Sequence, residues 1–100
     1  MGQELYFITT LQVDGDEIVD TRCVGSFEEY EDAKRTVCRN VYDIHEGIYN
    51  YAVIEAIKGG LYQVDLNPKW FQAYESDGKI LYHEVERPAF AKHSVGFGIG

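Results

Sequence analysis

The chain has 100 residues, 45% hydrophobic and 14% aromatic with only two prolines, a composition that builds one globular core and excludes a low-complexity chain. Seventeen acidic against nine basic residues leave a net charge of -8, which excludes a broad surface for nucleic-acid phosphates or anionic membranes. No apolar run approaches the ~20 residues that span a bilayer, and two cysteines allow at most one disulfide, so a stapled secreted scaffold is excluded as well. With Glu4 where a signal peptide would be basic, the expectation is a cytoplasmic protein of one domain, residues 1–100, closing in a Gly-rich tail over 89–100.

In chain order, Leu5, Phe7, Thr9, Leu11 and Val13 alternate with Tyr6, Ile8, Thr10 and Gln12, the period of a strand in residue types that favour one. Asp14-Gly15 suits a tight turn, and EIVDTRCVG returns as a second strand over 17–25. Ser26 stands three residues before Glu29 in the pattern of a capping box, and acidic residues crowd the turn that follows. Phe27, Tyr30, Ala33, Val37, Val41, Ile44 and Ile48 then recur every three or four residues, which predicts an amphipathic helix of about 20 residues stopped by Gly47.

IYNYAVIEAI, residues 48–57, predicts a third strand with Tyr49, Tyr51, Val53 and Ile57 on one face and Ala52, Ile54 and Ala56 on the other. Apolar groups on both faces point to a central place in the sheet. Gly59-Gly60 and LYQVDLNP read as a loop, and Trp70–Glu75 and Lys79–Glu86 as two strands turning at Asp77-Gly78. The sum is ββαβββ, an α+β fold with one helix on an antiparallel sheet.

Such a layering leaves the second sheet face to be covered. Tyr6, Tyr49, Tyr51, Tyr62, Tyr74 and Tyr82 are amphipathic, suited either to the rim of one core or to an interface between copies of the chain, as in a homodimer. The charge is also lopsided: residues 1–57 carry twelve acids and four cations, residues 58–100 five of each. That field either solvates a small protein or steers it toward a basic partner. The tail VGFGIG spaces Val95, Phe97 and Ile99 with glycines, and would either complete the core or add to a sheet edge.

Catalytic signatures are sparse. Cys23 or Cys38 with His45, His83 or His93 is the one nucleophile–base set worth testing, and no family signature surrounds either thiol. Paired zinc-ligand spacing is missing, and Asp14, Asp16 and Asp20 fail the calcium-loop pattern because Val19 replaces its glycine, so neither a metal nor a cofactor is expected.

The stretches TRCVGSFEEYEDAKRTV, YNYAVIEAIKGGLY, DLNPKWFQAY and HSVGFGIG resemble a family of small proteins encoded by phages, prophages and gut Gram-positive bacteria, over nearly the whole length. The family brings no activity with it, so no site residue is carried over. The resemblance implies a protein that acts by binding, as small acidic phage proteins do, some of them against host defence.

The expectation is therefore a non-catalytic interaction module that binds itself or a protein partner through Tyr49, Tyr51, Trp70, Tyr74, Tyr82, Phe97 and Ile99. One alternative is a sponge for a small anionic, nucleotide-like ligand, with Tyr49, Tyr51, Trp70 and Tyr74 stacking a base beside Lys58, Lys69, Lys79 and Arg87. An enzyme using Cys23 or Cys38 ranks last.

Overall fold

The alternating N-terminal segment forms a hairpin in which β1 (Glu4–Asp14) and β2 (Glu17–Phe27) pair antiparallel across the two-residue loop Gly15-Asp16. The computed structural model describes residues 4–58 and 68–89. Gly15 takes φ +63, a conformation that a side chain would strain. The second hairpin joins β4 (Lys69–Ser76) to β5 (Lys79–Val85) through Asp77 and Gly78, whose φ values of 52 and 76 are both positive, as a type I′ turn requires. β3 (Tyr51–Lys58) runs between the hairpins, antiparallel to β1 and to β4, giving the order β2-β1-β3-β4-β5.

The fold is thus the α+β ββαβββ arrangement that the sequence predicts, with β3 third of five strands. Its two apolar faces are both used. Ile8, Ala52, Ile54, Phe71 and Tyr82 turn to the helix side and close a core with Ala33 and Val37. Leu11, Val13, Val53 and Trp70 form a second cluster on the other face. Leu11 and Val53 are fully buried and Trp70 is 2% exposed, so the chain by itself keeps the centre of that face dry.

The helix is where sequence and structure part. α1 spans Tyr30–Cys38, about half the expected length. Ser26 and Phe27 still belong to β2, and the N-cap is Glu29, whose side chain makes no capping hydrogen bond. Cross-strand pairing of Ser26 with Phe7 and Phe27 with Tyr6 outweighs the capping-box preference there. Asn40 ends the helix in the left-handed conformation at φ 50, and its N–H donates to the Val37 carbonyl at 3.0 Å.

A 3-10 turn (Val41–Asp43) follows. The apolar period runs on through Val41, Ile44 and Ile48, but the backbone does not: Ile44 is buried, Val41 half-buried and Ile48 exposed. β3 accordingly starts at Tyr51, three residues later than the pattern predicts.

Candidate functional site

Strand order makes β2 an edge strand, and its seven residues Glu17–Cys23 are all exposed. Among the described residues no strand pairs with its outer side. The register against β1 skips Val19 and Val24, two β-bulges that bend the strand. Edge strands carry unpaired backbone N–H and C=O groups, and bulges and charges are the usual protection against unwanted pairing.

Beside this edge runs a groove of about 850 Å³. β2 from Arg22 to Phe27 forms one wall, and Arg35 and Thr36 of α1 with residues 41–44 and Glu46 form the other. The apolar part of the lining is Val24, Phe27, Val41 and Ile44. Arg22 pairs with Glu46 across the groove, and Arg35 with Asp32 at 2.9 Å, so both guanidinium groups are already neutralised.

The outer wall is held in an unfavourable backbone shape. Asn40, Tyr42, Asp43 and Glu46 all have φ between 50 and 58, and Gly47 has φ 78. A left-handed conformation costs a non-glycine residue roughly 1–2 kcal/mol, so something must hold four of them within seven positions. Asn40 supplies part of it: its side-chain oxygen accepts from the His45 N–H at 2.9 Å and its amide donates to Asp43 at 3.3 Å. Ile44 anchors the segment in the core, His45 sits edge-on to Tyr82 at 6.3 Å, and the Gly47 N–H donates to His45 Nδ1 at 3.1 Å. The outcome is that Tyr42, a bulky aromatic in a conformation it disfavours, projects into solvent with 96% of its surface exposed.

Of the large apolar side chains exposed among the described residues, Ile18 and Val19 lie on β2, Tyr42 and Ile48 on the segment beside it, and Tyr74 on β4. Tyr42 lines the groove, whereas pairing with Val13 turns Ile18 to the opposite face of the sheet. That segment is pinned to β2 beyond the groove, where the Tyr49 hydroxyl donates to the Asp20 carboxylate at 2.9 Å.

The residues expected to form a recognition surface do not share one. Tyr82 is 2% exposed beneath the helix, where its hydroxyl donates to the Tyr49 carbonyl at 2.6 Å, and burial holds its phenol far above the ordinary value. Tyr49 and Trp70 are buried too. Tyr49 precedes β3 and is drawn toward Asp20, so it does not continue the face of Tyr51 and Val53. Tyr6 and Tyr82 lie on the helix side, whereas register places Tyr51 and Tyr74 on the opposite face. Tyr51 is half-buried, and Tyr74 stacks on His83 at 4.9 Å. Phe97, Ile99 and Tyr62 lie outside the described residues.

The supposed ligand cations are scattered as well. Lys69 and Lys79 stand at opposite ends of the β4–β5 hairpin, and Lys58 closes β3. Lys69 and Arg87 line a smaller groove of about 520 Å³, but with Glu84 and Glu86. Cys23 is on β2 and His83 on β5, the two edges of the sheet, roughly 19 Å apart at the usual strand spacing. Burial pushes the Cys38 thiol up, against the opposing pull of Lys34, which is the reverse of what a nucleophile needs.

Sequence reasoning passed over Tyr42, Arg22 and Glu46. Tyr42 lies between two positions of the apolar stripe, so it reads as the wet side of a helix. Only Asn40, a residue that tolerates the left-handed region, marked the break. No family model matches the chain, and neither a curated protein nor a solved structure shows detectable similarity to it.

Proposed function

We propose that the chain is a non-catalytic protein-binding module, of the phage or mobile-element type its sequence resembles, that engages a host protein or itself through the β2 edge and the segment beside it. The observation that carries this reading is Tyr42, fully exposed at the wall of an apolar groove beside the β2 edge, with Ile18, Val19 and Ile48 exposed on that strand and on the adjoining segment. Exposed apolar residues scattered singly are ordinary, but an aromatic fully exposed at the rim of an apolar recess supports an interaction surface. Strain concentrated where Tyr42 projects supports it, because strained backbone persists where the exposed group is needed.

A nucleotide sponge draws less support. Its stacking residues Tyr49 and Trp70 are buried, and its cations stand at separate places on the sheet.

The test combines light scattering after size exclusion with capture from host lysate by the immobilised chain. Tyr42→Ser combined with Ile48→Ser is expected to lower capture, or to dissociate a dimer, about tenfold while the melting temperature holds. A strict monomer that retains nothing, or a double variant that retains as much as the parent, ends this reading.

A further inference from the structure

Gly25 sits inside β2, where a glycine weakens a strand relative to alanine. Its φ is not among the positive ones, so the backbone does not require it. A Cβ built there meets nothing within 4 Å, so packing among the described residues does not require it either. Gly25 follows the bulge at Val24, and the open space where its Cβ would stand leaves room for another backbone to approach closely. Gly25 lines the groove between Val24 and Ser26, on the edge that no described strand pairs with.

We infer that the groove receives an extended, basic segment of a partner protein, laid beside β2 at Gly25 and passing over Val24 and Phe27. This rests on the binding-module reading above and names the kind of partner. Apolar side chains at alternate positions of the segment enter the recess formed with Val41 and Ile44, as in strand addition generally. The bulge at Val24 confines backbone pairing to a short stretch, so side chains and charge carry much of the affinity.

The charge follows from the sequence that builds the groove. Residues 14–46 hold ten acids and four cations, and two of those cations, Arg22 and Arg35, are bound to Glu46 and Asp32. Glu28, Glu29 and Glu31 lie past one end of the groove-lining stretch of β2, and Asp20 past the other. A second copy of the chain would bring its own excess of negative charge to this edge, whereas a lysine-bearing segment is attracted to it.

The probe is a capped synthetic peptide of alternating lysine and valine, read by fluorescence anisotropy on the full chain, beside a glutamate–valine peptide and a lysine–valine peptide with alternate amides methylated. The lysine–valine peptide is expected to bind, to weaken about tenfold or more in high salt, and to lose about tenfold on backbone methylation. Gly25→Val is expected to keep the melting temperature and lose about tenfold in peptide affinity. Arg39→Glu, outside the groove, serves as a folded control that leaves binding in place or strengthens it.

Equal binding of the glutamate–valine peptide, binding that survives both methylation and Gly25→Val, or no peptide binding at all overturns the inference. A dimer dissociated by Gly25→Val also overturns it, since the occupant is then a second copy. All four outcomes leave the binding-module reading to be decided by the capture experiment with Tyr42 and Ile48.

Discussion

The side-chain amide of Asn50 holds both backbone polar groups of Val13: its oxygen accepts from the Val13 N–H at 2.8 Å and its NH2 donates to the Val13 carbonyl at 2.9 Å. A side chain thereby extends the β1–β3 ladder beyond the backbone pairing of Leu11 with Tyr51. The Asn50 carbonyl meanwhile accepts from the Ala73 N–H at 2.9 Å, so one residue ties β1 to β4. Asn50→Ala is expected to cost about 2–3 kcal/mol, because it strands a part-buried donor and acceptor together. Asn50→Asp keeps the acceptor but sets a carboxylate oxygen against the Val13 carbonyl, so it should recover little of that loss. Denaturant melts with hydrogen exchange at the Val13 amide check this, and an aspartate variant as stable as the parent would contradict it.

Tyr82 gives the alkaline behaviour a sign. Burial, with the nearby Asp43 charge adding to it, holds its phenol in the neutral form well above the ordinary value of 10.0. A folded-state value raised above the unfolded one contributes stability that is complete below about pH 10 and lost as pH rises toward the folded value. Tyr49, through its hydrogen bond to Asp20, and Tyr30, through burial, act in the same direction. Tyr82→Phe should cost about 1–2 kcal/mol at neutral pH, since the Tyr49 carbonyl loses its donor. The same variant should flatten the fall in melting temperature above about pH 10. An alkaline limb as steep as the parent's would show that Tyr82 is not its main source.

Tyr42 separates strain from function. With φ 58 and 96% exposure it contributes little to the core, so its backbone conformation is the main quantity a substitution changes. Tyr42→Gly is expected to be more stable than Tyr42→Ala by about 1 kcal/mol, since alanine keeps the left-handed strain and glycine relieves it. Both should lower partner capture alike. Chemical denaturation of the pair supplies the measurement, and an alanine variant as stable as the glycine one would remove the strain argument.

The two thiols should differ in reactivity. Cys23 is exposed on the edge strand, whereas Cys38 is half-buried on α1 with its thiol pushed up by burial. At neutral pH an alkylating reagent should label Cys23 first and Cys38 about tenfold more slowly. Peptide mass spectrometry over a time course reads both. Rapid labelling of Cys38 would reopen the case for a nucleophile on the helix.

The five strands, both hairpins and the α+β class were legible in the sequence, because alternation, β-branched residues and glycine-bearing turns are local signals. The central position of β3 was legible for the same reason: a segment with apolar residues on both faces must be covered twice. Three features were decided only in three dimensions. The apolar period through Val41, Ile44 and Ile48 suits a helix, yet Asn40 turns the chain left-handed and Ile44 reaches the core by another route.

The tyrosines looked like one face, yet Tyr82 and Tyr49 are drawn inward by bonds between positions 33 and 29 residues apart, a hydroxyl meeting a carbonyl and a hydroxyl meeting Asp20. Strand order, finally, makes β2 an edge and sets Tyr42 and Gly25 on the same side of the molecule. Periodicity fixes which way a residue points within its own element. Which elements become neighbours depends on pairings across the sheet that no local window contains.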